Sequence, residues 1–230
     1  MKTIRHSLIC AGVAIAALAC NSKPSQSPEE AVTEAFNEFA AAAGAKDGRK
    51  AATLVTEGSL AAFDNMRNLA LYGDEAALEK AQLEELTLIL VFRSMLDPGV
   101  LQDMSREDLV ALALGQEQLL FTRVRMGDKL DDLAIKDGVA NARVVVGNND
   151  IHVSDAQLRL EDGVWRYDLL PHLKVMGQNL LDIAEEKDMS PGKYVVMLVE
   201  MRTQTKITPQ TLTAPYPNKQ HAEKAVELQE

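Results

Sequence analysis

The residues that come nearest to a catalytic set are Asp150, His152 and Ser154, an acid, an imidazole and a hydroxyl spaced two apart. That spacing puts all three on one face of a β-strand, because successive side chains alternate sides. In mutual contact they would form an acyl-transfer relay. Strand geometry opposes it: residues two apart lie roughly 6.7 Å apart along the strand, whereas a relay needs contacts of about 3 Å. The set reads as a solvated strand face opposite Ile151 and Val153, and no catalytic residue is assigned. No nucleophile elbow, phosphate-binding glycine loop or His-Glu-x-x-His helix is present. His172 follows Pro171 and reads as a turn or helix-start residue, and His221 stands near the end of the chain, so no metal site and no cofactor is expected.

Three other side chains are candidates for lining a pocket. Arg93 stands one turn after Ile89 and Leu90 in an otherwise apolar helical stretch. Buried there, it needs a carboxylate or ligand partner; otherwise its stem snorkels and its head reaches water. Trp165 and Tyr167 share one face of a strand, where they can pack or contact a ligand.

Composition narrows the partners. The chain has 24 Lys+Arg against 34 Asp+Glu and a net charge of −10. A nucleic-acid footprint needs clustered positive charge, so no nucleic-acid partner is expected, nor adhesion to anionic head groups. Hydrophobic residues make up 47% of the chain, enough for a core, but aromatics at 4% are thin for base or sugar stacking.

The N-terminus carries the most specific signal. Lys2 and Arg5 precede an uncharged apolar run from Leu8 to Leu18, and Ala17-Leu18-Ala19-Cys20 follows before the chain turns polar. That is the layout of a secretory signal peptide. About eleven apolar residues are too few to span a bilayer as a helix, which takes roughly twenty. The small residues before Cys20 resemble the lipobox of bacterial lipoproteins, with Ala17 where leucine is more common. The resemblance implies a signal peptide over 1–19, cleavage before Cys20, and acylation of that thiol. Several acyl chains, at about 0.8 kcal/mol per buried CH2, give stable anchoring. Asn21, a residue other than aspartate after the cysteine, points to the outer membrane rather than the inner one under a known bacterial sorting rule. The only other cysteine, Cys10, falls in the discarded segment, so the mature chain has no thiol for a disulfide or a thiolate site. Removing 19 residues with Lys2 and Arg5 leaves 211 residues and 22 basic against 34 acidic groups, a net charge of about −12.

The elements that must position the body follow from the pattern. Residues 20–27 hold the lipidated cysteine and a flexible tether. Ser27-Pro28-Glu29-Glu30 predicts a helix start with a capping box, and Val32, Phe36, Phe39 and Ala43 mark its apolar face. Asp47 is expected to cap a short helix carrying Leu54 and Val55, and Ser59 a third through Phe63, Met66 and Leu71. From Asp74 a longer helix runs to Asp97-Pro98-Gly99, apolar all round over Leu86 to Phe92 and therefore buried. Ser105 with Asp108 starts another, Leu109 to Leu114.

The period then turns to alternation, and Asp137-Gly138 and Asp162-Gly163 signal hairpins. Strands are predicted near Leu133–Lys136, Val139–Val146, Ile151–Leu160 and Val164–Leu170. The apolar phase flips between Val153 and Ala156, which predicts a bulge and a bent sheet. Helical spacing returns through Leu173, Met176, Leu180, Leu181 and Ile183. Ser190-Pro191 opens a last helix to about Arg202, with Met176, Met197 and Met201 read as core filler.

The fold class is thus α+β: a helical N-terminal half, a bent antiparallel β-meander and C-terminal helices. The first helical block, with Lys46-Asp47 after Phe36 and Phe39, and the hairpin Glu161-Asp162-Gly163-Val164-Trp165-Arg166-Tyr167-Asp168-Leu169 resemble the NTF2-like (cystatin-like) superfamily and its small lipoproteins. The resemblance spans roughly 28–170; a single α+β domain is expected over 28–208, with a helical insertion at 74–115 and a helical extension at 171–203 that depart from the family's usual compact fold, and a tail at 209–230. The resemblance also implies a sheet curled around the first helix, leaving a cavity that some relatives use and others fill. Two functions follow: a membrane-anchored envelope lipoprotein whose body is a non-catalytic binding or structural module with a protein or small-molecule partner, or an isomerase or hydrolase acting on a small apolar substrate in a pocket involving Arg93, Trp165 or Tyr167. A cavity holding convergent ionisable groups favours the enzyme, and a filled interior the module.

Overall fold

The structure is a computed structural model that describes residues 26–115, 127–146 and 151–216. Cys20, Asp150 and His221 lie outside the described residues.

The N-terminal half is helical, and its caps are written in the sequence. Ser27 caps α1 (Pro28–Gly44): its Oγ accepts the Glu30 N–H, and the Glu30 carboxylate accepts the Ser27 N–H. Val32, Phe36 and Phe39 are buried along this helix. Asp47 caps α2 (Gly48–Ala52) by accepting the Lys50 N–H at 3.1 Å. This helix stops before Leu54 and Val55, which were expected within it; the Leu54–Thr56 backbone instead runs beside Tyr167, exchanging N–H to O bonds of 2.9 and 3.0 Å. A backbone bound to a strand cannot also continue a helix. The cap of α3 (Glu57–Tyr72) is Thr56, not Ser59, whose amide is the donor at 3.1 Å.

The single long helix expected from Asp74 is two. Asp74 caps α4 (Glu75–Lys80), which ends at Ala81, and Glu85 then accepts the Gln82 N–H at 3.1 Å to open α5 (Leu83–Met95). The expected burial holds for Thr87 through Phe92, whereas Leu86 is half-buried. Asp97-Pro98-Gly99 ends α5 and also starts α6 (Pro98–Asp103), with Asp97 accepting the Gly99 N–H. Ser105 and Asp108 open α7 (Arg106–Gly115) as predicted. Gly48 lets α2 meet α7 closely: a Cβ there would stand 2.0 Å from the Ala111 carbonyl oxygen.

Four antiparallel strands follow in sequence order, β1 (Lys129–Lys136), β2 (Val139–Val146), β3 (Ile151–Glu161) and β4 (Val164–Tyr167). Both Asp-Gly pairs form the turns, each residue at positive φ as a primed turn requires. The predicted bulge is present, because Val144 pairs with Ser154 while Val145 pairs with His152, leaving Val153 extra. A second shift, between Asp131 and Ala134, has Asp132 at φ 51°. The strand expected to reach Leu170 ends at Tyr167, where Asp168 turns the chain into α8 (Leu170–Glu186).

The last helices are α8, α9 (Pro191–Thr203) and α10 (Pro209–Leu212). Met176 is buried, but Met197 and Met201 are exposed on α9 and are not core filler. Residues 209–216, read as part of a tail, pack on the body: Ala214 is buried, and the Tyr216 N–H donates to the Leu71 carbonyl at 3.0 Å. Among the described residues no helix is long and apolar enough to cross a membrane.

Candidate functional site

The face of the sheet turned toward the helices is the natural place for a pocket, and side chains fill it. Ala140, Val144, Ala156, Leu158 and Tyr167 point inward and join one core with Phe36 and Phe39 of α1. Phe39 stacks on Tyr167 with ring centroids 4.0 Å apart, and Phe36 meets the same ring at 6.5 Å. Burial, and after it the neighbouring Asp168 carboxylate, pushes the Tyr167 phenol well above its ordinary range, so it stays neutral and serves as a packed ring, not as a base. Trp165, on the same face, is half-buried; it sits opposite Leu160 near the β3–β4 turn.

The bulge decides the fate of the polar set. Directly opposed residues share a face, and Val144 and Val145 face opposite ways. Ser154, opposite Val144, therefore faces inward, whereas His152, opposite Val145, faces outward. The expectation that both share one face is corrected. His152 Nε2 lies 3.0 Å from Asp155 Oδ1 on the solvated side, and Ser154 Oγ is buried with no hydrogen-bond partner. Base and hydroxyl cannot touch across the backbone of their own strand.

The outward face is a ladder of paired polar side chains. Arg143 approaches Asp132 at 3.2 Å and Asp131 at 3.7 Å, and the Gln157 amide donates to Asn141 at 2.8 Å. A shallow depression of about 310 Å³ lies over Asp132, Asn141, Arg143, Asp155 and Gln157 beside Pro171. A second, larger surface groove, of about 740 Å³, runs along α1 past Glu30, Glu34 and Glu38. Among the described residues, no group of three or more His, Cys, Asp or Glu is placed to hold a metal ion.

Arg93 neither snorkels nor meets a carboxylate. Its guanidinium binds five backbone carbonyls. Nε donates to Ala70 at 2.8 Å, Nη2 to Leu69 at 2.9 Å and Gly73 at 2.6 Å, and Nη1 to Leu212 at 2.8 Å and Thr211 at 3.3 Å. The first three belong to the end of α3, where the last helix carbonyls run short of intrahelical donors, Leu69 keeping only the Gly73 amide, and the macrodipole is negative. Desolvation pushes the Arg93 guanidinium down to about 10, which leaves it charged at neutral pH. Arg93 is thus a cap for α3. Its partners are separate from those of Tyr167, which are Phe36, Phe39 and residues 54–56, so the structure does not gather Arg93, Trp165 and Tyr167 around one space.

A buried polar node lies at the start of α3. Ser59 Oγ accepts the Leu169 N–H at 2.9 Å and lies 2.8 Å from Thr56 Oγ1 and 3.4 Å from Asp168 Oδ1. Asp168 accepts from Arg159 Nε at 2.6 Å and from the Leu170 N–H at 3.1 Å. With Ser59 and Asp168 both buried, this node fastens the β4–α8 turn to α3. The signal for it was an aspartate two residues before a helix-starting proline segment, an Asx-type cap that serves α8 in place of Leu169.

Comparison with protein-family models, curated proteins and solved structures finds no match to this chain.

Proposed function

We propose that the chain is a membrane-anchored cell-envelope lipoprotein, attached through acylated Cys20 in the outer membrane, whose body binds a ligand or partner protein without catalysing a reaction. The observation that carries the reading is the short apolar run ending in Ala17-Leu18-Ala19-Cys20, too short to span a bilayer and followed by a polar tether. Support for a module over an enzyme comes from the filled inner face of the sheet, where Phe36, Phe39 and Tyr167 take the space a substrate would need. The same feature supports assigning the fold to the NTF2-like kind, with α1 lying across the sheet and the interior occupied.

The module half of the proposal is tested on the soluble body, residues 21–230, by a screen against ester, amide and isomerase substrates, alongside His152→Ala. No turnover in either protein is expected. Turnover that disappears in a folded His152→Ala variant overturns the reading in favour of an enzyme.

A further inference from the structure

Beyond α9 the chain doubles back over the end of α3 in a segment that forms its own small unit. Thr208 and Thr211 cap each other across α10, their amides and hydroxyls paired at 3.2 and 3.4 Å. Upstream, the Ile207 N–H is held by Glu200 Oε1 at 2.9 Å, and Gln204 ends α9 in the left-handed conformation at φ 55°. The segment from 208 to 216 therefore has a fixed root and a turn behind it.

Its attachment to the body buries little apolar surface. None of the α10 residues is buried, and Ala214 is the buried apolar residue of the segment. The other ties are the half-buried Leu212 side chain against the core, the Tyr216 N–H to the Leu71 carbonyl, the tilted contact of the Tyr216 and Tyr72 rings at 6.4 Å, and the two bonds from Arg93 Nη1 to Thr211 and Leu212. Segments with little apolar burial and few backbone bonds open at a fraction of the global stability.

The division of labour within Arg93 matters here. Nε and Nη2 are spent on α3 itself, on Leu69, Ala70 and Gly73, while the Nη1 bonds go to the segment. The guanidinium can stay seated on α3 while Nη1 lets go.

We infer that residues 208–216 form a strap that opens as a unit while the helical body stays folded, with Arg93 as its latch. Opening bares Leu71, Tyr72 and the freed Nη1 of Arg93, so the strap governs access to this end of α3.

Native-state hydrogen exchange on the full chain tests the proposal. The Tyr216 amide is expected to be protected at least about 100-fold less than the amides of Leu69 and Leu90 inside α3 and α5. Equal protection means the segment opens only when the protein unfolds, and overturns the strap. Arg93→Lys keeps the charge but loses the fork, and should speed Tyr216 exchange about tenfold; no change removes Arg93 as the latch. Ala214→Glu displaces the segment without touching Arg93. It should bring Tyr216 exchange close to that of an unstructured peptide with the denaturant midpoint unchanged. A midpoint lowered as far as by Phe39→Ala shows instead that the segment belongs to the core.

Discussion

Phe39 and Tyr167 lie face to face, 4.0 Å between ring centroids and 7° between planes, and this pair closes the space between α1 and the sheet. Neither ring is more than marginally accessible. The contact joins the first helix to the last strand across most of the chain, so it depends on the whole fold being assembled. Phe39→Ala should cost about 3 to 5 kcal/mol, the usual loss for truncating a buried aromatic, read as a fall in the urea midpoint at constant slope. A midpoint within error of the wild type would mean that α1 does not lie on the sheet as described.

Two glycines in helices should respond with opposite signs to the same change. At Gly48 an added Cβ runs into the Ala111 backbone carbonyl, which cannot move without shifting α7. Gly48→Ala should therefore destabilise by about 1 to 3 kcal/mol, as overpacking does. At Gly177 the added Cβ meets the carboxylate end of Glu84, which can swing away. Gly177→Ala should be neutral or stabilising, gaining up to about 1 kcal/mol of helix propensity. Thermal melts of the two variants side by side decide this, and a loss at Gly177 as large as at Gly48 would show that Glu84 is held rigidly.

Glu84 also gives the stability a pH dependence. Burial, its largest influence, raises its carboxyl above the ordinary 4.5, outweighing a backbone hydrogen bond that lowers it; the Glu85 charge raises it further and Lys174 lowers it. A group raised in the folded state contributes stability that is fully present below the unfolded value and is lost as pH rises through the folded one. Glu84→Gln removes that loss. The variant should melt higher than the wild type at pH 7, by roughly 1 to 3 °C for a half-exposed group, and the difference should vanish below about pH 4. A gain that persists at low pH would assign the effect to something other than ionisation.

The parts of the fold that were legible are those where a single local signal decides. Ser27-Pro28-x-Glu30, Asp137-Gly138 and Asp162-Gly163 each satisfy backbone groups on the spot, and the structure uses them as read. The flip of apolar phase in β3 located its bulge at Val153, because an extra residue reverses which side chains face the core, although Ile151, read as inward, is exposed. The break between α4 and α5 was hidden because glutamine is an uncommon cap; there Glu85 reclaims the Gln82 amide. Ser59 misled for a related reason: Thr56, three residues earlier, is also a capping type, and only tertiary contact with Asp168 and Leu169 explains why the serine turns inward.

The candidate site was less legible, because its meaning lay in long-range partners. Arg93 looked like a buried charge in need of an anion, yet its partners are carbonyls from residues 69–73 and 211–212, which no periodicity links to residue 93. His152 and Ser154 looked co-facial until the extra residue between them was placed.

The proposed anchor at Cys20 is tested directly by metabolic labelling. Cells making the full chain are fed a labelled fatty acid, and the protein is recovered from the membrane fraction beside a Cys20→Ala variant. Label is expected in the wild-type protein and none in the variant, which should also leave the membrane fraction. Label in Cys20→Ala, or a membrane-bound wild-type protein that carries none, would contradict the anchor.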